Sequence, residues 1–247
     1  MTVQAPVKTG LQLWQDGISK ALGDARWNEW DCEVQMAVNE YNRHLSGTPG
    51  FLPLDWRLIK AILWVETGAN ASEWKIKPMQ IGVVGDPGMT ALLSDREGGH
   101  LIIPPALKGR LTTVGIRAVP ALNIRAGIGY LLMRMANFEY QNQPSADTRT
   151  YQVVIMPGDS FEKVAKVNGT TVDMLKKLNP SSGILRPGQV LKYKKASTQK
   201  VITGWKNFST LSVALNYNSV RRDINYAKKL DHALLLIRQG KSGRCTP

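Results

Sequence analysis

No stretch of this 247-residue chain stays apolar for the roughly 20 residues that a bilayer-crossing helix needs. A membrane span is therefore not expected, and the chain is expected to be soluble. The N-terminal segment MTVQAPVKTGLQLWQDG carries no apolar core. No Sec signal is expected, and work outside the cytoplasm would need another export route. Cysteine is scarce. Cys32 and Cys245 are the only two, and their spacing fits no metal motif. They either close one disulfide or stand as two unrelated thiols. Neither a metal nor a cofactor is expected. Acidic residues are few, 19 against 32 Lys and Arg, which leaves a net charge of +13. Such a charge favours nucleic acid, anionic membrane surfaces or acidic cell-wall polymers. The basic residues are scattered, and the lack of a Lys/Arg-rich run weighs against a nuclear or RNA-tail role.

At 43% hydrophobic residues the chain can build a core, and its length suits one large domain or two smaller ones. Trp30, Val34, Ala37, Val38, Tyr41 and Leu45 recur at helical spacing, which predicts a helix over about 27–45. GTPGFLP breaks it. A second helix is expected over Leu54–Glu66, with Leu58, Ile59, Ile62 and Leu63 as its apolar stripe and Arg57 and Lys60 on the wet face. Residues 82–120 read as loops with short helical turns, and Pro120–Tyr140 reads as helix again. QNQPSADTRT then looks like a polar link, and KKASTQK like a second one. Between them lie two strand-like runs, Tyr151–Ile155 and Val190–Tyr193. Two helix starts follow the first, one opening at Asp159 and one at Thr170, each with an acid three residues on. Helical pattern resumes over Leu211–Tyr217 and Val220–Gln239. The expected fold class is α+β: a mainly helical body, residues 1–147 and 198–247, interrupted by a small β-α-α-β module at 148–197.

Glu66 ends the second helix in the stretch ILWVETGANASEWKIKPMQIG. It lies three residues after Leu63, four after Ile62 and seven after Ile59, so it continues the apolar stripe. Gly68 marks the helix stop. Partial burial and the negative end of the helix dipole both disfavour a carboxylate there. A carboxyl group that keeps its proton is what a general acid needs. The same pattern also fits a surface glutamate at a helix end, or one paired with a buried arginine.

Three ordered blocks narrow that choice. LIKAILWVETGAN followed by PMQIG, then VPALNIRAGIGYLLMRM, then LSVALNYNSV resemble the lysozyme-like lytic transglycosylases and goose-type lysozymes. The resemblance implies a muramidase that cuts between N-acetylmuramic acid and N-acetylglucosamine, with Glu66 as general acid and base. It implies that Met79 and Gln80 line the sugar groove. It places Tyr217 and Asn218 near the scissile bond, with the Tyr217 hydroxyl close to the Glu66 carboxyl. Asn123, Ile124 and Tyr130 are expected to be largely structural. The segment between the glutamate and Met79-Gln80 is shorter than usual in that family, and Ser219-Val220 replaces the usual Ala-Gly.

Most glycosidases use two carboxyl groups. In the transglycosylases that the chain resembles, one glutamate suffices: the N-acetyl group of the muramyl sugar attacks its own anomeric carbon, and a 1,6-anhydro sugar results. A goose-type hydrolase would place a water with an aspartate after the Met-Gln motif. Asp86 is the candidate here, ahead of Glu73, Asp95 and Glu97, although Asp86-Pro87-Gly88 is also an ordinary turn.

Tyr151–Tyr193 resembles a LysM domain over nearly its whole length. The marks are the Tyr-x-Val strand, Gly158-Asp159-Ser160-Phe161, Val164-Ala165, Leu178-Asn179-Pro180 and the Leu-x-Pro-Gly-Gln-Val-Leu run from Leu185. LysM domains bind N-acetylglucosamine-containing glycans. The resemblance implies a groove between Gly158–Phe161 and Pro180–Leu185, with Gly158, Asp159, Ser160, Phe161, Asn179, Pro180 and Ile184 as contacts. Residues 150–197 hold 8 basic and 3 acidic side chains, which suits an anionic wall polymer.

Both resemblances imply peptidoglycan glycan strands as the partner and no nucleic acid. Two rivals remain: a catalytically inactive scaffold that holds the wall, and a nucleic-acid binder motivated by charge alone. A wall-cutting enzyme without a Sec signal is expected to act in the periplasm or at the wall of a target cell. It would arrive as an antibacterial effector through a contact-dependent system such as type VI, or as a phage lysis or tail component. An effector would be matched by an immunity protein occluding the Glu66 cleft.

Overall fold

The computed structural model describes residues 7–94, 96–218, 223–240 and 245. Its helices and strands follow in the order α1 (Gly10–Ser19), α2 (Asp31–Leu45), α3 (Trp56–Glu66), α4 (Pro87–Leu93), α5 (Gly99–Ile102), α6 (Thr113–Ala118) and α7 (Pro120–Met135). Then come β1 (Ala136–Pro144), β2 (Tyr151–Val154), α8 (Phe161–Asn168), α9 (Val172–Leu178), β3 (Val190–Tyr193), β4 (Ala196–Trp205), α10 (Thr210–Tyr217) and α11 (Tyr226–Gln239). The fold is mixed α and β, mostly helical, with two small sheets that pair β1 with β4 and β2 with β3. Two compact units result: Met1–Asn137 with Ile202–Pro247, and Phe138–Val201.

In the first unit α7 is buried around nearly its whole circumference, from Asn123 to Met135. It packs against α2, α4, α5, α6 and α10, while α3 packs against α2 and α11. Gly127 makes this closeness possible: a Cβ there would lie 2.6 Å from the Met79 Cβ. Arg125 fastens α7 to α2. Its guanidinium donates to both Glu40 oxygens at 2.9 Å and also to Glu33. Such a two-pronged pair fixes orientation as well as distance.

Asp55 starts α3 by accepting from the Arg57 amide at 2.9 Å. The helix stops where Gly68 takes φ 72°, with the Thr67 and Gly68 amides both folding back to the Leu63 carbonyl. Trp27, Trp64 and Trp74 pack around this end, with the Trp27 and Trp64 rings edge-on at 5.1 Å.

Lys60 corrects the sequence-based expectation of a wet face. It is buried on α3 and pairs with buried Asp31 of α2 at 2.7 Å, with Asn28 taking a second Nζ hydrogen bond at 2.6 Å. Burial lowers the Lys60 pKa and raises that of Asp31, and their mutual hydrogen bond offsets only part of each shift. Both charged forms are thus disfavoured by the fold, as a desolvated pair requires. Cys32, beside Asp31, is bridged to Cys245, with the Cα atoms 5.3 Å apart.

The second unit has its own core of Ile155, Val164, Ala165, Leu175, Leu191 and Tyr193. β2 and β3 run antiparallel, with Tyr151 opposite Tyr193 and Val154 opposite Val190. The helix caps fall one residue later than expected. Ser160 and Thr171 accept from the amides of Lys163 and Met174, while Asp159 accepts from the Met156 amide and Thr170 donates to the Lys194 carbonyl. The two expected polar links are also corrected: QNQP lies in β1 and ASTQK in β4, and α7 ends at Met135 rather than running to Tyr140.

Reduction, or Cys245→Ser, is expected to cost about 2–4 kcal/mol and lower Tm by roughly 5–15 °C, since the bridge closes most of the chain; an unchanged calorimetric Tm in reductant would contradict it. Asp31→Ala is expected to cost about 3–5 kcal/mol in urea unfolding, whereas Asp31→Leu with Lys60→Met stays within about 1 kcal/mol of the parent. A double variant as unstable as the single one would show that the pair itself stabilises the fold.

Candidate active site

Glu66 lies on a cleft of about 210 Å³ in the first unit. The cleft is also lined by Gln80, Asp86, Tyr130, Tyr217 and Asn218, with Met79 and Ile81 in its wall. Six of the positions singled out in the sequence for catalysis or substrate contact therefore meet in one place: Glu66, Met79, Gln80, Asp86, Tyr217 and Asn218.

The wall that faces Glu66 is a strained turn. Gln80 has φ 53°, the only positive φ outside glycine among the described residues. A side chain in that region costs of order 1–3 kcal/mol and persists only where its surroundings enforce it. Asn123 enforces it. Its Oδ1 accepts from the Met79 amide at 3.0 Å, and its Nδ2 donates to the carbonyls of Ile81 at 2.9 Å and Ile116 at 3.0 Å. The amide before Gln80 and the carbonyl after it are thus clamped by one fully buried side chain. On the other flank, Thr67 Oγ1 donates to the Pro78 carbonyl at 2.7 Å. The residue after the glutamate therefore ties the end of α3 to the same turn. The Met79 side chain is buried, so Met79 contributes to the wall from within.

Glu66 has a phenol partner that the sequence did not single out. The Tyr226 hydroxyl donates to Glu66 Oε1 at 2.7 Å, while Tyr217, in the same cleft, donates to the Met79 carbonyl at 3.4 Å. Tyr226 opens α11. The turn before it is held by Asp223, which accepts from the Asn225 amide at 2.9 Å and from Lys229 Nζ at 2.7 Å. That lysine contact, ahead of the amide bond, holds the Asp223 carboxyl below the ordinary carboxylate range. Tyr226, Leu230, Ala233 and Ile237 form the buried stripe of α11, so in sequence Tyr226 reads as core.

Asp86 caps α4. Its Oδ1 accepts from the Gly88 amide at 2.8 Å and its Oδ2 from the Gly82 amide at 2.7 Å. Both oxygens are engaged by backbone, the part a turn residue plays. Tyr130 packs against the start of α4, its ring 5.6 Å from that of Tyr217, and burial raises its phenol pKa. Glu73 takes a hydrogen bond from Ser72 at 2.8 Å, and Glu97 lies 3.6 Å from Arg134; neither lines the cleft. Asp95, Ser219 and Val220 lie outside the described residues.

In the second unit a separate cavity of about 570 Å³ is lined by Asn179, Pro180, Gln152 and Lys192 among others. Gly158, Asp159, Ser160, Phe161 and Ile184 are not in its lining, so the two expected loops do not share it. Asn179 is spent on the fold: its Nδ2 donates to the Leu175 and Lys192 carbonyls, and its Oδ1 accepts from the Lys192 amide at 2.9 Å. Asp159 is paired with Lys163 at 3.0 Å, Phe161 carries Lys176 over its ring, and Ile184 is exposed.

No family model, no curated protein and no solved structure matches this chain. Among the described residues no group of three or more His, Cys, Asp or Glu could hold a metal ion. No described helix is long and apolar enough to cross a membrane.

Asn123→Ala would orphan a buried amide and two carbonyls and release the Gln80 turn. It is expected to cost about 3–5 kcal/mol. Urea unfolding measures it; a loss under about 1 kcal/mol would mean that the clamp does not hold the turn.

Proposed function

We propose that the chain is a peptidoglycan-cleaving muramidase of the lytic transglycosylase type, with a lysozyme-like first unit and a LysM-like second unit. The observation that carries this reading is Glu66, held by the Tyr226 hydroxyl at the edge of a cleft built with Gln80, Tyr217 and Asn218. In this reading Glu66 protonates the glycosidic oxygen between N-acetylmuramic acid and N-acetylglucosamine, and the C–O bond breaks. The N-acetyl oxygen of the muramyl sugar closes on its own anomeric carbon and stabilises the developing cation. Glu66, now a carboxylate, takes the proton of the C6 hydroxyl, and O6 displaces the N-acetyl oxygen. The product is a 1,6-anhydromuramyl end, and no water is consumed.

Tyr226 serves this cycle by positioning. A neutral donor at 2.7 Å fixes the position of one Glu66 carboxyl oxygen. The state of Asp86 favours transglycosylation over hydrolysis, because two backbone amides already occupy the carboxylate that a hydrolase would turn on a water. The second unit would retain the glycan, and two covalent connections restrict its reach more than one linker would. A positive chain suits an anionic wall. Delivery as an antibacterial effector or phage component, and an immunity protein against the cleft, belong to the same proposal.

Digestion of purified peptidoglycan with the parent and with Glu66→Gln, read by mass spectrometry of released muropeptides, tests it. Anhydromuramyl products are expected from the parent only. Tyr226→Phe is expected to lower kcat about tenfold with KM nearly unchanged, as loss of one hydrogen bond to a carboxylate implies. Equal release by Glu66→Gln would overturn the reading; sedimentation with the wall but no release by either would favour the scaffold reading.

A further inference from the structure

The first unit holds another cavity, at the other end of α3. It has a volume of about 640 Å³, within the range of small-ligand sites and larger than the Glu66 cleft. Asp55, which caps the start of α3, and Leu58 line it, whereas Glu66 ends the helix. The rise from residue 58 to residue 66 is about 12 Å, so the two sites are separate on one rigid rod.

The lining has two chemical parts. One is aromatic. Trp205 and Phe208 lie 6.2 Å apart, and Phe51, outside the lining, packs edge-on against Trp205 at 4.8 Å. The Trp205 indole N–H is already bonded to Thr48 Oγ1 at 3.0 Å, so the ring is fixed and its polar atom is spent. Such rings offer an apolar surface at little entropic cost. The other part is cationic. Lys206 and Arg238 line the cavity against a single acid, Asp55, which sits 3.6 Å from Arg57. Lys206 Nζ gives one hydrogen bond to the Arg134 carbonyl at 2.7 Å, whereas Arg238 forms no ion pair among the described residues. Asn207 adds an amide to the lining.

Fixed aromatic rings beside a guanidinium and an amide suit a sugar that carries a carboxylate. The apolar C–H face of a pyranose lies on the rings, the guanidinium takes the carboxylate through paired hydrogen bonds, and the amide takes hydroxyl groups. We propose that this cavity is an accessory site for carboxylate-bearing sugar units, filled by muramyl residues whose lactyl carboxylate is free, as in glycan strands stripped of their peptide stems. The identity of the ligand rests on the proposed function; the selectivity for an acidic over a neutral sugar rests on the cavity itself.

The test uses the full chain carrying Glu66→Gln, so that no sugar is turned over. The readout is the Trp205 indole N–H resonance, assigned by comparison with Trp205→Phe. The probes are the disaccharide of N-acetylglucosamine and N-acetylmuramic acid, and chitobiose, which lacks the lactyl carboxylate. The Trp205 resonance is expected to shift saturably with the acidic disaccharide, and about tenfold more weakly with chitobiose. Arg238→Gln is expected to bring the acidic probe down to the chitobiose level. A silent Trp205 resonance, equal response to both probes, or indifference to Arg238→Gln would each overturn the site. Muropeptide release is measured separately, so failure here leaves the reading of the Glu66 cleft standing, and a failed digest does not remove a selective Trp205 response.

Discussion

The Asn123 carboxamide is the contact on which the cleft depends. It reaches from the most buried helix of the first unit to both sides of Gln80 and holds that residue in a conformation it would not otherwise keep. Three neighbours of the cleft are tied to that turn. Thr67 ties the end of α3 to it, Tyr217 donates to its Met79 carbonyl, and the Met79 side chain fills the space that Gly127 leaves on α7. A cleft built this way arrives with its polar groups already oriented, and such preorganisation is where much of catalysis resides.

Glu66 itself was legible in the sequence. Its stripe position and the glycine two residues on predict a half-buried carboxyl group at a helix end, and α3 ends there. Gln80, Tyr217 and Asn218 were reached through the motif resemblance, and they share the Glu66 cleft. Tyr226 was not legible, because a tyrosine that opens an apolar stripe looks like core until the fold brings its hydroxyl to a carboxylate 160 residues away. Lys60 was misread for the converse reason: helical patterning assigns every charge to water, and it has no means of seeing Asp31 across the interface.

Strands β1 and β4 show a different limit. Most of their residues are exposed or half-buried, so they lack the alternation by which a strand announces itself; the end of β1 and the start of β4 read as polar links, and the start of β1 as the end of a helix. The helix caps of the second unit slipped by one residue because Asp159-Ser160 and Thr170-Thr171 each offer two competent side chains in a row. The disulfide was open in sequence because a bridge depends on a Cα separation that only the fold supplies.

The central claim is that one carboxyl group, Glu66, drives cleavage without water as a reactant. Digestion of peptidoglycan in oxygen-18-labelled water tests it most directly. The account predicts anhydromuramyl ends that carry no label. Reducing muramyl ends bearing one labelled oxygen would contradict it and turn attention to Asp86.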